Sequence, residues 1–124
     1  MLITGGLDDG GYLKSAEIYD PVTNTSCSLP QLPEGRIQHS QDGGLACGGL
    51  SAATWYSCYK WRPASGTWTK AHTLRQRRYN HVSWATTSGV YLIGGRDSPS
   101  LRTSEKLNLD GSVEEAFSLK YDTR

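Results

Sequence analysis

An all-β chain built from stacked repeats is what this sequence predicts, and three observations predict it. A short apolar run ending in a glycine pair occurs as LITGG at Leu2–Gly6, LACGG at Leu45–Gly49 and YLIGG at Tyr91–Gly95. Other positions recur at an offset of 42: Tyr19 with Trp61, Pro21 with Pro63, Thr25 with Thr67, Leu32 with Leu74, Arg36 with Arg78, His39 with His81. The 124 residues include 14 glycines and show little helical patterning, which points away from a helical bundle. A period in the forties signals one supersecondary unit stacked several times, because such a unit cannot bury its apolar face alone.

The middle unit sets the template. Arg36–Gln41 reads as a first strand, followed by a turn at Asp42, Gly43 and Gly44. Leu45–Cys47 is a short apolar second strand bounded by Gly48 and Gly49, the mark of a buried strand. Leu50–Tyr56 reads as a loop. Ser57–Arg62 alternates, with Cys58, Lys60 and Arg62 on one face and Tyr59 and Trp61 on the other. Pro63–Gly66 is a turn, since proline presets one backbone angle and glycine supplies a positive φ. Thr67–Leu74 is the fourth strand.

The other units follow by equivalence. The third runs from Arg78, and its extra residues are expected in the turn Ala85–Gly89. The first has a second strand (Leu2–Thr4), a third (Ser15–Asp20) and a fourth (around Thr25–Leu32), but no first strand. The chain is thus expected to be one repeat array over 1–124, divided as 1–35, 36–77 and 78–124.

These marks resemble the kelch repeat. The glycine pairs Gly5–Gly6, Gly48–Gly49 and Gly94–Gly95, the aromatic at Tyr19 and Trp61, and PxxGxW at Pro63–Trp68 carry the resemblance. Departures are Ser26 and Glu114 where the pattern has tryptophan, and Leu107 where it has an aromatic. The resemblance implies a β-propeller, whose four-stranded blades radiate from a central channel. It implies blade-to-blade packing for Tyr19, Trp61 and Trp68. Three blades, the first incomplete, do not close a ring. The expectation is therefore a fragment of a longer propeller, closed by further blades of the same chain or by self-association.

Composition removes several classes of function. A formal net charge of +1 argues against a dedicated nucleic-acid binder or a polybasic membrane anchor. No apolar run approaches the roughly 18 residues of a membrane span. Cys27, Cys47 and Cys58 fit no common zinc spacing. Cys47 and Cys58 flank one loop and could approach disulfide distance, about 5.5 Å between Cα atoms; the alternative is two small buried hydrophobes. Asn24-Thr25-Ser26 matches the glycosylation sequon. The compartment stays open, with a slight lean to an extracellular setting.

Little in the chain reads as catalytic. His39 and His81 recur once per unit, each three residues after an arginine, whereas a catalytic group is needed once. Hydrogen bonding between strands or blades is the expected role of these arginines and histidines. His39, His72 and His81 are metal ligands on paper, but their repeat positions separate them. The family resemblance invites comparison with the copper enzyme galactose oxidase, but no tyrosine, histidine and cross-linked cysteine set can be assembled. An Asp-box reading of Ser65–Trp68 fails because the aspartate is missing. No cofactor is expected.

Binding is the better expectation. In an up-and-down blade, the loops joining strands two to three and four to one emerge on one face, the face kelch propellers commonly use for protein partners. Those loops are Leu7–Lys14, Leu50–Tyr56, Arg96–Arg102, Pro33–Arg36 and Arg75–Arg78. Arg75, Arg77, Arg78 and Arg96, with Trp55 and Tyr56, are the candidate contacts, because arginine and aromatics dominate binding hot spots. Arginine pairs bidentately with carboxylate, so an acidic segment of a protein partner is expected. The alternative for these arginines is a solvated charge run. An alternative function is a secreted or cell-surface propeller that binds glycans or extracellular proteins.

Overall fold

The computed structural model describes residues 1–42, 44–50, 56–97 and 99–121. Strand β1 (Leu2–Thr4) leads into a small hairpin of β2 (Leu7–Asp8) and β3 (Gly11–Tyr12), then β4 (Ala16–Asp20) and β5 (Thr25–Leu29). The first sheet has the order β1-β4-β5. The second joins β6 (Ser40–Asp42), β7 (Leu45–Cys47), β8 (Ser57–Arg62) and β9 (Thr67–Thr73) in sequence order. The third joins β10 (Val82–Thr86), β11 (Gly89–Ile93), β12 (Thr103–Asn108) and β13 (Val113–Ser118) in the same way. All pairings are antiparallel. The expected all-β, propeller-type sheets are therefore the observed ones, each sheet being one blade.

Three local expectations are corrected. The first strand of blade two begins at Ser40 rather than Arg36, because Gln38 has φ 53° and breaks the extended run. Asn80, with φ 55°, does the same before β10. The extra residues of blade three do not enlarge a turn. They lengthen β10 and β11 to five residues each, against three each for β6 and β7. An even extension of a hairpin keeps every side chain on its own face, since strand periodicity is two. Finally, Leu7–Lys14 contains the β2–β3 hairpin, whose turn is fixed by Gly10 N–H donating to the Asp8 carboxylate at 2.8 Å.

The core lies between blades two and three. Leu45, Cys47, Cys58 and Leu74 pack against Val90, Leu92 and Leu107, with Ala71 and Val113 alongside. Cys47 and Cys58 are direct cross-strand partners, and a disulfide joins them across a Cα separation of 4.1 Å. Closing a loop of that size stabilises by about 2–3 kcal/mol. Blades one and two meet through Thr4, whose hydroxyl lies 2.9 Å from His39 Nε2, and through Trp68, whose indole N–H donates to the Pro30 carbonyl at 2.8 Å.

The aromatics expected in the core sit at its margin. Trp61 and Trp68 are half-buried, with ring centroids 5.5 Å apart, and Tyr19 is half-buried with its hydroxyl donating to Asn24 Oδ1 at 2.7 Å. Smaller side chains, Leu74, Leu92 and Leu107 among them, fill the centre. On the far face of blade three, Trp84 stacks on Tyr91 at 5.3 Å and Phe117 lies 6.3 Å beyond, with Trp84 and Phe117 exposed.

Candidate partner-binding rim

The first two glycine pairs each end a second strand and receive the backbone of the next blade. Gly49 N–H donates to the Arg78 carbonyl at 2.9 Å, and Gly6 N–H donates to that of Arg36 at 3.0 Å. Gly48 must be glycine: its φ is +64°, and a Cβ would lie 2.6 Å from the Arg78 carbonyl oxygen. The connection before each first strand is thereby pinned to the preceding blade.

The arginines of these connections turn inward. Arg36 is fully buried and donates from Nη1 to the carbonyls of Gly48 (3.0 Å) and Ser57 (3.1 Å). Its Nη2 pairs with Glu34 at 2.6 Å, and its guanidinium lies 5.4 Å from the centre of the Tyr59 ring. Burial pulls the Arg36 pKa below its ordinary value, and Glu34 opposes that shift. Arg78 is also fully buried, donating to the carbonyls of Gly94 (2.7 Å) and Thr103 (3.0 Å). It pairs with Glu105 at 2.9 Å. Arg78 is therefore removed from the set of rim contacts: its charge is spent on carbonyls and a carboxylate inside its own blade.

The histidines are enclosed by the same construction. Burial, then the neighbouring Arg36, lowers the pKa of His39 to about 4; burial, then Arg78, lowers that of His81 to about 3. Both imidazoles are therefore neutral near pH 7. His72 lies on β9 in register with Cys58, with its Nε2 2.8 Å from the Asn108 carbonyl oxygen of blade three. Among the described residues, no group of three His, Cys, Asp or Glu side chains is arranged to hold a metal ion.

The rim itself is narrower than expected. Leu74 anchors the connection, being buried with its N–H donating to the Tyr56 carbonyl at 2.7 Å. Glu105 then accepts from the backbone N–H of Arg75 (2.6 Å) and of Gln76 (3.3 Å), fixing the path of the chain. Outside this frame, Arg77 lies over the Tyr56 ring at 5.3 Å and approaches Asp97 at 3.7 Å. Gln76 Nε2 donates to the same Asp97 carboxylate at 2.7 Å. Arg75 is exposed and lines grooves with Glu115 on one side and with His72 and Val113 on the other. The structure thus brings together Tyr56 and Arg77. It adds Gln76 and Asp97, which sequence reasoning missed because neither is an arginine nor an aromatic. Arg96 is half-buried, with its backbone paired to Tyr79 at 2.9 and 3.0 Å. Trp55 lies outside the described residues. Cys27 and Asn24 are exposed, Asn24 with φ 56°.

Stacked antiparallel blades, the first of three strands and the others of four, pinned at glycine pairs, define an arc of a β-propeller. Residues 1–33 match the family model for the Kelch motif, so the chain carries a kelch motif in its first blade. No curated protein matches the chain in sequence. Among solved structures, it superposes on one entitled "Structure of YjhT" with a TM-score of 0.79 at 14% identity, covering 98% of this chain and 50% of that one. The chain therefore spans about half the length of that structure. No helix among the described residues is long and apolar enough to cross a membrane.

Proposed function

We propose that this chain is a non-enzymatic kelch-type module that binds a protein partner through its rim, by an acidic segment of that partner. The units that stack are 1–35, 36–77 and 78–124, and further blades or a second copy close the ring. One observation carries the reading: the connection after β9 is held rigidly from inside by Glu105, while Arg77 stands outside it over Tyr56 and Arg75 is exposed on the same connection. Arg75 makes no ion pair among the described residues, whereas Asp97 partly neutralises Arg77. A partner carboxylate would take Arg75 directly and compete with Asp97 for Arg77. Preorganised cations on a fixed loop lose little entropy on binding.

A fluorescein-labelled oligoglutamate peptide titrated into the chain tests this by anisotropy. The double variant Arg75→Ala/Arg77→Ala is expected to weaken binding about tenfold or more, the scale of a hot spot. Equal affinity in the two proteins would overturn the reading.

A second reading, a secreted or cell-surface propeller, is favoured by the Cys47–Cys58 disulfide and the exposed Asn24. Disulfides persist in oxidising compartments. It expects a glycosidase-sensitive mass shift on secretion, removed by Asn24→Gln.

A further inference from the structure

At the end of the blades opposite the rim, a cleft of about 370 Å³ opens between blades two and three. Ligand pockets commonly run from about 300 to 1,000 Å³. Its origin is legible in the repeat. In blade two, Trp61 and Trp68 are cross-strand partners and fill the margin of the sheet with two indoles. In blade three the corresponding pair is Leu107 and Val113. Trp61 pairs with a residue seven positions on, Leu107 with one only six positions on, so Val113, not Glu114, stands opposite the position of the missing aromatic. Two indoles are replaced by two aliphatic side chains, and the space between the blades stays open.

The walls of this cleft have two characters. Leu45, Val90 and Leu107 give it an apolar floor. Lys60, Arg62 and Lys70 stand at its edge, and none of them makes an ion pair among the described residues. Arg62 uses only Nε, donating to Thr69 Oγ1 at 3.0 Å. The one carboxylate in the lining, Asp110, is engaged by the Ser112 N–H (2.9 Å) and hydroxyl (2.6 Å), which hold its pKa below the ordinary value.

His72 provides an independent sign. It lines the cleft and is only 9% exposed. Its Nε2 lies 2.8 Å from the Asn108 carbonyl oxygen, which can only accept, so Nε2 carries the proton. In the neutral ring Nδ1 is then an acceptor; it is buried, and no described residue hydrogen-bonds to it. Buried polar atoms ordinarily have partners.

We propose that this cleft binds a small organic anion. Its carboxylate or sulfonate-type group meets Lys60, Arg62 and Lys70. Its apolar ring or chain lies on Leu45, Val90 and Leu107, and a hydrogen-bond donor on the ligand satisfies His72 Nδ1. The site is separate from the rim and does not depend on what the rim binds.

Anilinonaphthalene sulfonate is a suitable probe, read by fluorescence, with the uncharged N-phenylnaphthylamine as its partner. One saturable site is expected, with the uncharged dye bound at least about tenfold more weakly. Lys60→Ala/Arg62→Ala should raise the dissociation constant about tenfold, the effect of losing about 1.4 kcal/mol of charge-assisted contact. Leu107→Trp, which restores an indole to the cleft, should abolish binding; if that variant does not fold, the double alanine variant decides alone. Trp84→Ser should leave binding unchanged. The proposal falls if the dye keeps its affinity in the double alanine variant, if the uncharged dye binds equally well, or if Trp84→Ser removes binding and so places the dye on the outer aromatic face.

Discussion

Arg36 and Arg78 occupy equivalent places in adjacent blades, both fully buried, yet they are neutralised differently. Arg36 is paired by Glu34, a residue of its own connection whose side chain is 30% exposed. Arg78 is paired by Glu105 on strand β12, whose side chain is 3% exposed. In blade two the strand position equivalent to Glu105 is Tyr59, which gives its ring to Arg36 and donates its hydroxyl to Glu34 at 3.1 Å. Burial, then the Glu34 charge, raises the Tyr59 pKa above its ordinary value. The same architectural arginine is thus served once by a solvated carboxylate aided by an aromatic face, and once by a dry carboxylate alone. The dry pair ties strand to connection more tightly, and it is the one behind the proposed rim.

The sharpest test of that contrast removes the dry partner. Glu105→Gln leaves a guanidinium buried without its counter-charge, which costs about 3–5 kcal/mol when a buried pair is broken on one side. It also weakens the acceptors for the N–H groups of Arg75 and Gln76. Urea unfolding should show a large drop in midpoint, and the backbone amides of the connection should exchange faster with solvent. A loss under about 1 kcal/mol would mean that the carbonyl contacts alone satisfy Arg78.

The two histidines extend the comparison to pH. His39 has a partner in the Thr4 hydroxyl, whereas His81 meets the Arg78 backbone. Folded-state values of about 4 and about 3 lie below the ordinary 6.5. The unfolded chain therefore takes up protons first as pH falls. Stability from these groups is fully present above about pH 6.5 and is lost at about 1.4 kcal/mol per pH unit for each imidazole below it. The loss from His39 should level off near pH 4 and that from His81 near pH 3. Denaturation midpoints measured from pH 7 to pH 4, with His39→Gln and His81→Gln as controls, check this. Midpoints that change no more steeply in the wild type than in the variants would contradict it.

Much of this arrangement was legible in the sequence, and the gaps have physical causes. Strands β7 and β8 fall at Leu45–Cys47 and Ser57–Arg62 as expected, because glycines and a loop bound their apolar or alternating runs. The start of β6 was misplaced because a positive φ at Gln38 leaves no trace in an apolar pattern. Arg78 was assigned to the rim although its equivalence to Arg36 already implied a structural role. The recurrence was the better guide, and the RQRR cluster around it the worse. The cleft was hidden because it depends on strand register: Leu107 pairs with Val113, one residue before the Glu114 that the repeat offset points to.

The smallest effect is expected where the counter-charge is wet. Glu34→Gln removes the partner of Arg36, but the remaining amide still accepts a hydrogen bond, water reaches the site, and Tyr59 keeps its ring beside the guanidinium. Partly exposed ion pairs contribute about 0.2–1 kcal/mol. The unfolding midpoint should therefore move only slightly. Tyr59, relieved of a carboxylate neighbour, should titrate at a lower pH than in the wild type, which ultraviolet difference spectroscopy reads directly. If Glu34→Gln proves as costly as Glu105→Gln, exposure of the carboxylate does not set the strength of these pairs. The two blades would then be equivalent in energy as well as in place.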